Sequence, residues 1–180
     1  IISNRGIPVT GVDTRQTVVD TIANGETPIV EPGLDVLVKS AITSGYLKTE
    51  LKPVTADVFI LAVPTPLKDG NVPDLSYLES AIASIAPVLN PGNLVILEST
   101  SPVGTTEKIA AWISSHRPNL TPPNKPEEPS VYIAHSPERV LPGRVLIELV
   151  DNDRVIGGLT SACAEKAAEF YKLFVQGTCH

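Results

Sequence analysis

Short apolar runs that alternate with longer amphipathic stretches constrain the fold of this chain more than any other feature of its sequence. The runs are rich in Val and Ile, as in residues 58–63 and 94–97. Continuous apolar strands of this kind are typical of a parallel sheet that helices cover on both faces, because neither face of such a strand meets water. The sequence therefore predicts an α/β fold with a Rossmann-like, doubly wound parallel sheet.

The predicted strands and helices follow one another along the chain. The strand candidates are residues 8–12, 47–53, 58–63, 94–97, 131–134 and 154–156, and the helical patterns cover residues 14–23, 33–44, 75–88, 103–115 and 161–174. Asp74 and Thr160 each stand before a helical pattern and are N-cap candidates. The proline-rich segment 117–130 predicts a surface loop.

The composition excludes several classes of function. A chain of 180 residues with 42% hydrophobic content is long enough for one core, so we expect a single domain over residues 1–180. A net charge of −6 with both signs mixed does not provide the basic face that nucleic acid requires. No window approaches the roughly 18 apolar residues of a membrane span. We therefore expect a cytoplasmic protein that contacts neither nucleic acid nor a membrane.

The two cysteines carry little functional weight. Two cysteines form neither a disulfide framework nor a metal-ligand cluster, so no metal site is predicted. Cys163 falls in a helical pattern and is predicted to lie in the core. We predict no nucleophile at Cys179, although His180 adjoins it, because neighbouring residues on a strand point to opposite faces.

An acidic residue ends the first apolar run. The run follows Gly6, a predicted helix C-cap, and ends at Asp13. A strand that ends in an acid is typical of the second strand of a dinucleotide-binding fold, where the carboxylate accepts hydrogen bonds from the adenosine ribose. Its charge would repel the extra phosphate of NADP, so the pattern favours NAD. An ordinary Asp that caps the following helix explains the residue about as well.

The position of Asp13 also predicts what precedes the chain. In a dinucleotide-binding fold the acid lies about 20 residues beyond a G-x-G-x-x-G loop, which joins the first strand to the first helix. Only 12 residues precede Asp13 here, and the sequence holds no methionine. We therefore expect the first strand and its glycine-rich loop to fall before residue 1.

Polar loops follow three of the predicted strands. Residues 64–66 hold Thr65 between two prolines, residues 98–106 hold five hydroxyl side chains, and residues 136–143 place Glu138 beside Arg139. Ligands of open α/β sheets bind at the carboxyl ends of the strands, so we expect these loops to contact a ligand. Hydroxyls suit ribosyl groups, a carboxylate can take a proton, and a guanidinium can clamp a diphosphate. A rigid turn, a hydroxyl cap and a solvated charge pair are the ordinary alternatives.

Five segments together resemble the UDP-glucose / UDP-N-acetylmannosamine dehydrogenase family. They are residues 12–13, 31–35, 62–66, 98–106 and 136–143. The resemblance covers essentially all of the chain and corresponds to the family's N-terminal NAD domain. Residues 137–143 followed by 152–158 look most like the UDP-N-acetyl-D-mannosamine branch. UDP-glucose dehydrogenases usually carry a second glutamate where this chain has Pro142, so that acid is not carried over.

The resemblance implies a two-step oxidation, by NAD, of the C6 alcohol of a UDP-sugar to a carboxylate, for surface polysaccharide synthesis. The cofactor contacts that it implies are Asp13, Val63, Thr65, Thr100 and Thr106. The substrate contacts that it implies are Glu138, Arg139 and Val140, with Glu138 near the reacting carbon as a catalytic residue.

The resemblance also implies what this chain lacks. The catalytic lysine and the nucleophilic cysteine would follow residue 180, as would the central helix through which the full-length protein forms a homodimer. We therefore expect the chain by itself to be inactive. Oxidation of UDP-glucose or UDP-N-acetylglucosamine, and a non-catalytic nucleotide-binding or assembly module, stay open as alternatives.

Overall fold

A computed structural model describes residues 1–120 and 130–180. The elements in chain order are β1 (Val9–Val12), α1 (Gln16–Ala23), α2 (Leu34–Thr43), β2 (Leu47–Glu50), β3 (Val58–Leu61), β4 (Leu67–Lys68), β5 (Val72–Pro73), α3 (Ser76–Ile85), β6 (Leu94–Leu97), α4 (Thr105–His116), β7 (Tyr132–His135), α5 (Val145–Asp151), β8 (Gly157–Gly158) and α6 (Ser161–Tyr171). Short 3-10 turns lie at Ser3–Arg5, Asp69–Asn71 and Ala86–Val88.

The chain forms two compact units, each made of more than one segment. Unit 1 comprises Ile1–Val54, Arg139–Asp153 and Lys172–Thr178. Unit 2 comprises Thr55–Glu138, Arg154–Tyr171 and Cys179–His180.

Unit 2 is built on a four-stranded sheet in the order β3-β6-β7-β8. Strands β3, β6 and β7 run parallel, with Val58 opposite Leu94 and Leu94 opposite Tyr132, whereas β8 is antiparallel to β7. All four residues of β6 are buried. The central strand therefore has no face in water, which confirms the interpretation of the apolar run at residues 94–97.

Helices cover both faces of β6 because its side chains alternate. Val95 and Leu97 join the main hydrophobic cluster, to which α3 contributes Leu78 and Ile82 and α4 contributes Ile109. Leu94 and Ile96 are buried on the opposite face, and α6 packs against β6, β7 and β8. The α/β architecture with a largely parallel sheet is thus confirmed.

Unit 1 contains a two-stranded parallel sheet, in which Val9 lies opposite Leu47 and Val12 lies opposite Glu50. Helices α1 and α2 both contact β2. Gly6 has a φ of +78°, in the left-handed region, and its amide bonds to the carbonyl of Ser3. This geometry confirms the predicted C-cap, although the capped element is a single 3-10 turn.

One of the two predicted N-caps is confirmed in unit 2. Thr160 directly precedes α6, and its Oγ1 accepts a hydrogen bond from the Cys163 amide at 3.3 Å. The prediction for Asp74 is wrong by one residue, because the N-cap of α3 is Leu75. Asp74 instead accepts a hydrogen bond from the Ser76 amide at 3.0 Å, and Lys68 lies 2.9 Å from its carboxylate. The hydrogen bonds from Lys68 and Ser76 lower the pKa of Asp74 to about 2, so this carboxylate stays charged.

One predicted strand is wrong. Residues 154–156 do not join the sheet: Arg154 forms an isolated bridge with Cys179, and the strand β8 lies at Gly157–Gly158 instead. The backbone of this stretch pairs instead with the last residues of the chain. The Ile156 amide donates to the His180 carbonyl, and the His180 amide donates to the Arg154 carbonyl, both at 2.8 Å. The sequence also missed α5 and the β4–β5 hairpin.

Two further sequence predictions concern the proline-rich segment and membrane spans. Most of the surface loop predicted at 117–130 falls on residues 121–129, which lie outside the described residues. Within the described ranges, no helix is long and apolar enough to cross a bilayer.

Candidate functional site

Three of the predicted polar loops begin at the same edge of the unit 2 sheet. In the parallel register Leu61 lies opposite Leu97, and Leu97 lies opposite His135. The loops that follow β3, β6 and β7 therefore start side by side at the carboxyl edge. This is the edge at which open α/β sheets bind ligands.

Hydroxyl side chains tie the first two of these loops together. Thr65 Oγ1 donates to the carbonyl of Thr100 at 2.6 Å, and Ser99 Oγ donates to the carbonyl of Val63 at 2.7 Å. The backbone amide of Ser99 also bonds to the carbonyl of Leu61 at 3.2 Å. The predicted residues Val63, Thr65 and Thr100 thus belong to one bonded group, with Ser99 as a link that the sequence did not single out.

Thr106 lies in the first turn of α4. Gly104 precedes this helix with a φ of +89°, and Thr105 Oγ1 donates to the carbonyl of Pro102 at 2.7 Å. The Thr106 hydroxyl donates to the Glu107 carboxylate at 2.9 Å. The predicted Thr106 therefore sits where a helix begins, a position that favours negatively charged groups.

A buried polar network holds Glu138 at the end of β7. Arg154, which is 4% exposed, donates from Nη1 to Glu138 Oε2 at 3.2 Å. The guanidinium carbon of Arg154 lies 5.2 Å from the centre of the Tyr171 ring, and the Tyr171 hydroxyl donates to Glu98 Oε1 at 2.6 Å. The Glu138 amide bonds in turn to the Glu98 carbonyl at 3.3 Å. Glu98 therefore connects the Tyr171 side chain to the backbone of Glu138.

The protonation of this network follows from its burial. Burial raises the pKa of the Glu98 carboxyl, an effect that the Tyr171 hydrogen bond and the Arg154 charge oppose. Burial, together with the negative charge of Glu98, also raises the pKa of Tyr171 far above its usual range. Tyr171 therefore remains a hydrogen-bond donor at every physiological pH, and Arg154 supplies the positive charge beside Glu138.

In unit 1, Asp13 directly follows β1. Its carboxylate accepts hydrogen bonds from the Arg15 amide at 2.8 Å and from the Arg15 guanidinium at 3.2 Å. These bonds hold the pKa of Asp13 below its ordinary value, so the side chain is a charged acceptor at the end of a strand. Asp13 also organises the turn before α1, but it does not cap this helix, which begins at Gln16 with Arg15 at the N-cap position.

Arg139 and Val140 lie at the start of a loop, residues 139–145, that carboxylates hold in place. Arg139 donates to the Asp153 carbonyl at 3.2 Å, and Val140 is partly buried. The Leu141 amide donates to Glu148 at 2.9 Å. We call residues 139–145 the clamped loop.

Glu31 is the second carboxylate on the clamped loop. Its Oε1 accepts from the Val145 amide at 2.8 Å, and its Oε2 accepts from the Gly143 amide at 3.0 Å. Glu31 belongs to a segment, residues 31–35, that contributed to the family resemblance, but its role was not predicted.

The structure therefore divides the predicted site residues into two groups. Val63, Thr65, Thr100, Thr106 and Glu138 belong to unit 2, whereas Asp13, Arg139 and Val140 belong to unit 1. Glu98, Arg154 and Tyr171 were not among the predicted site residues, although Glu98 opens the polar segment 98–106. Their contacts join residues 16 and 73 positions apart, which no local pattern reveals.

The structure tests the prediction for Cys163. Cys163 is fully buried, and its sulfur accepts a hydrogen bond from the Ile133 amide at 3.4 Å, which confirms a core position. Within residues 1–120 and 130–180, no group of three or more His, Cys, Asp or Glu side chains is placed to hold a metal ion.

Known proteins are similar to this chain in both sequence and fold. Residues 1–175 match the model of the UDP-glucose/GDP-mannose dehydrogenase family, NAD binding domain. The chain belongs to this family. NAD is therefore the cofactor of the domain, and the resemblance predicted from the five segments is confirmed.

The curated relatives include several nucleotide-sugar dehydrogenases. The chain is 56% identical over 181 residues to the UDP-N-acetyl-D-mannosamine dehydrogenase of Campylobacter jejuni, with 99% of this chain and 44% of the relative covered. It is 53% identical over 180 residues to the NDP-N-acetyl-D-galactosaminuronic acid dehydrogenase of Ralstonia nicotianae, with 99% and 43% covered. The chain thus spans less than half the length of these relatives.

A solved structure agrees with the fold. The UDP-D-ManNAc dehydrogenase of Pyrococcus horikoshii superposes with a TM-score of 0.89 at 42% identity. The superposition covers 99% of this chain and 42% of that chain. The Rossmann-type architecture is therefore common to this chain and to full-length nucleotide-sugar dehydrogenases.

The residues present fit the chemistry of NAD. A carboxylate offers about four acceptor positions, so the contacts of Asp13 with Arg15 leave room for a ribose hydroxyl. In unit 2 the hydroxyl-rich loops lie at the carboxyl edge, and Glu138 supplies a carboxylate there. A charged acceptor for the ribose and polar loops at a sheet edge are two of the features with which this fold binds a dinucleotide.

Proposed function

We propose that this chain is the cofactor-binding domain of a UDP-N-acetyl-D-mannosamine 6-dehydrogenase. The enzyme would oxidise the C6 alcohol of the sugar to a carboxylate in two NAD-dependent steps. The relatives from Campylobacter jejuni and from Escherichia coli K12, at 56% and 54% identity, support the choice of sugar. The structural observation that carries the proposal is the Glu138 carboxylate, which the buried Arg154 fixes at the carboxyl edge of the sheet.

The cofactor residues take simple roles in this proposal. NAD, when bound, accepts the hydride that leaves C6. Asp13 would accept hydrogen bonds from the ribose, and its charge disfavours the additional phosphate of NADP. Val63, Thr65, Thr100 and Thr106 would line the cofactor, and the bonds between the first two loops hold three of them in a fixed arrangement.

Glu138 is the residue to which we assign chemistry. A carboxylate at this edge can accept the proton of the C6 hydroxyl or orient the water that attacks in the second step. The hydrogen bond from Arg154 Nη1 to Glu138 Oε2 at 3.2 Å fixes the orientation of the carboxylate, which both roles require. Arg139 would bind the diphosphate of the substrate and Val140 would contact the same ligand.

The Ralstonia relative supports a second candidate for the sugar. This relative is named for N-acetyl-D-galactosaminuronic acid, and its 53% identity is close to that of the mannosamine enzymes. Both candidates are N-acetylated sugars joined to a nucleoside diphosphate. The two identities are too close to decide between these sugars, so the choice needs a direct assay.

The experiment is a substrate panel, run on the longest natural open reading frame that contains this chain. NADH formation is measured with the UDP-activated forms of N-acetylmannosamine, N-acetylgalactosamine, N-acetylglucosamine and glucose. We expect the highest kcat/KM with N-acetylmannosamine and two NADH for each sugar oxidised. Faster turnover of another sugar would reassign the substrate, and no NADH from any of them would favour a non-catalytic nucleotide-binding module.

The same panel tests the role of Glu138. Glu138→Gln removes the charge at nearly constant size and should lower kcat at least a hundredfold, on the order of a lost general base. Glu169→Gln makes the same change at an exposed position of α6 and should leave kcat unchanged. Equal kcat values for the two variants would remove Glu138 from the chemistry.

Three expectations stay predictions. They are the homodimer of the full-length protein, its cytoplasmic location, and the folding of residues 1–180 as one domain. Light scattering on the full-length protein tests the first of them.

A further inference from the structure

Glu31 reaches a part of the chain that is remote in sequence. Its two carboxylate oxygens accept hydrogen bonds from the amides of Val145 and Gly143, which lie 114 and 112 residues away. Both distances, 2.8 and 3.0 Å, are those of well-formed hydrogen bonds from amide donors. Hydrogen bonds to a charged acceptor are roughly twice as strong as neutral ones. A single side chain therefore holds the backbone at two points.

The clamped loop depends on such contacts because little of it is buried. Residues 141–144 are exposed, and every residue of the seven-residue helix α5 is at least partly exposed. Gly143 has a φ of +84°, which glycine adopts without strain, but glycine also loses the most conformational freedom when its backbone is fixed. From the other end, Glu148 accepts the Leu141 amide at 2.9 Å and pairs with Arg144 at 3.1 Å. Two carboxylates thus replace the core that the loop lacks.

We propose that Glu31 is a positioning residue for substrate binding. By fixing the backbone at residues 143 and 145, it holds the preceding Arg139 and Val140 in the arrangement that the nucleotide sugar requires. A loop ordered in advance does not lose conformational entropy when the ligand binds, so the affinity for the ligand is higher. This inference rests on the proposed function, because it takes Arg139 and Val140 as substrate contacts.

The first test examines only the contact of Glu31 with the Gly143 and Val145 amides and needs no substrate. In Glu31→Gln one amide loses its acceptor, because a carboxamide has one oxygen and its NH₂ group cannot accept a hydrogen bond. We expect the amide protons of Gly143 and Val145 to move upfield and to exchange faster with solvent, as measured by NMR. Glu26→Gln, the same change at an exposed position nearby, should alter neither proton. Unchanged protons in Glu31→Gln would overturn the proposal whatever the enzyme's substrate is.

The second test examines the consequence in the active protein. Glu31→Gln should raise the KM for the UDP-sugar about tenfold, the loss expected from one charge-assisted hydrogen bond. The kcat and the KM for NAD should stay within about twofold, because the clamp acts on ground state and transition state alike. If Glu31 had a purely structural role, Glu31→Gln would lower thermal stability without a selective rise in the KM for the UDP-sugar. Equal increases in both KM values, or an unchanged KM for the sugar, contradict the proposal.

A second variant keeps the proposal testable if Glu31→Gln does not fold. Glu148→Gln leaves one acceptor oxygen for the Leu141 amide and the Arg144 guanidinium, so it weakens the hold on the clamped loop and should raise the same KM by a smaller factor, about threefold. An unchanged KM in this variant would contradict the positioning role. If the protein oxidises no nucleotide sugar, the proposed function fails, whereas the amide protons still decide whether the clamp exists.

Discussion

The two units of this chain are stabilised in different ways. The largest fully buried side chains of the described residues all belong to unit 2, among them Tyr171, Leu78, Ile96 and Leu97. In unit 1, every residue of β1 and β2 is at least partly exposed, and directed contacts such as Asp13–Arg15 recur instead. Unit 2 is thus held largely by packing, whereas unit 1 buries few large apolar side chains, so directed contacts account for a larger share of its stability.

This difference follows the proposed division of labour. Glu138, the residue to which we assign chemistry, is the last residue of a unit 2 segment and is held from within by Arg154. Arg139 and Val140 open a unit 1 segment whose backbone is fixed by carboxylates. A catalytic group benefits from a rigid, desolvated support, whereas substrate-binding loops are commonly drawn from less stable parts of a protein.

The largest expected effect breaks the packing of unit 2. Ile96→Ala in β6 removes a fully buried side chain and should lower the free energy of unfolding by about 2–5 kcal/mol. The fluorescence of Trp112, the only tryptophan of the sequence, reports this transition because it packs against the unit 2 core. Ile147→Ala makes the same change at a side chain of unit 1 that is 56% exposed. Circular dichroism should show a change within about 0.5 kcal/mol for that variant. Similar losses in the two variants would remove the contrast between the units.

The sequence predicted the elements that are defined by burial. The bounds of β6 were predicted to the residue, because Leu94–Leu97 is apolar on both faces and polar residues flank it. The strand at 58–63 was predicted two residues too long, since Ala62 and Val63 are apolar but already belong to the site loop. Helix α5 was missed because Val145–Asp151 is almost entirely apolar and shows no clear period.

The polar part of the site was less accessible to sequence reasoning. Asp13, Thr65 and Glu138 follow strands, so their positions could be predicted from the order of elements alone. Glu31 and Tyr171 were missed because their partners lie far along the chain, and only the tertiary fold brings them together. A single sequence contains no local periodicity that marks such a pair.

A smaller effect is expected from the buried network beside Glu138. Tyr171→Phe deletes the hydroxyl that donates a hydrogen bond to Glu98, and the buried Glu98 carboxylate loses that donor. The free energy of unfolding should fall by about 1–3 kcal/mol in Trp112 fluorescence experiments. Tyr77→Phe, at a side chain of α3 that is 50% exposed, is the matched control and should cause little change.

The loss in Tyr171→Phe should depend on pH. Burial already raises the pKa of Glu98, and the Tyr171 bond opposes this, so its removal raises the pKa of Glu98 further. A raised carboxyl pKa means that the folded state binds more protons than the unfolded state, so stability falls as pH increases through that range. The difference between Tyr171→Phe and the wild-type protein should therefore be larger at neutral pH than near pH 4.5, the ordinary value for Glu. A loss independent of pH would mean that Glu98 is not the group affected.

The smallest effect concerns the exposed charge pair of unit 1, where pH acts in the opposite direction. Arg15 lowers the pKa of Asp13, so the pair stabilises the folded state above the ordinary Asp value of 3.8, and that stabilisation is lost as pH falls. Arg15→Ala removes the side-chain hydrogen bonds and keeps the bond from the backbone amide. The pKa of Asp13, followed by the NMR shift of its carboxyl carbon, should therefore rise toward 3.8 without reaching it. Arg5→Ala removes another exposed arginine of unit 1 and should leave the Asp13 titration unchanged. An Asp13 titration that is also unchanged in Arg15→Ala would mean that the Arg15 side chain does not set the charge of Asp13. The Asp13–Arg15 pair would then not count among the contacts that stabilise unit 1.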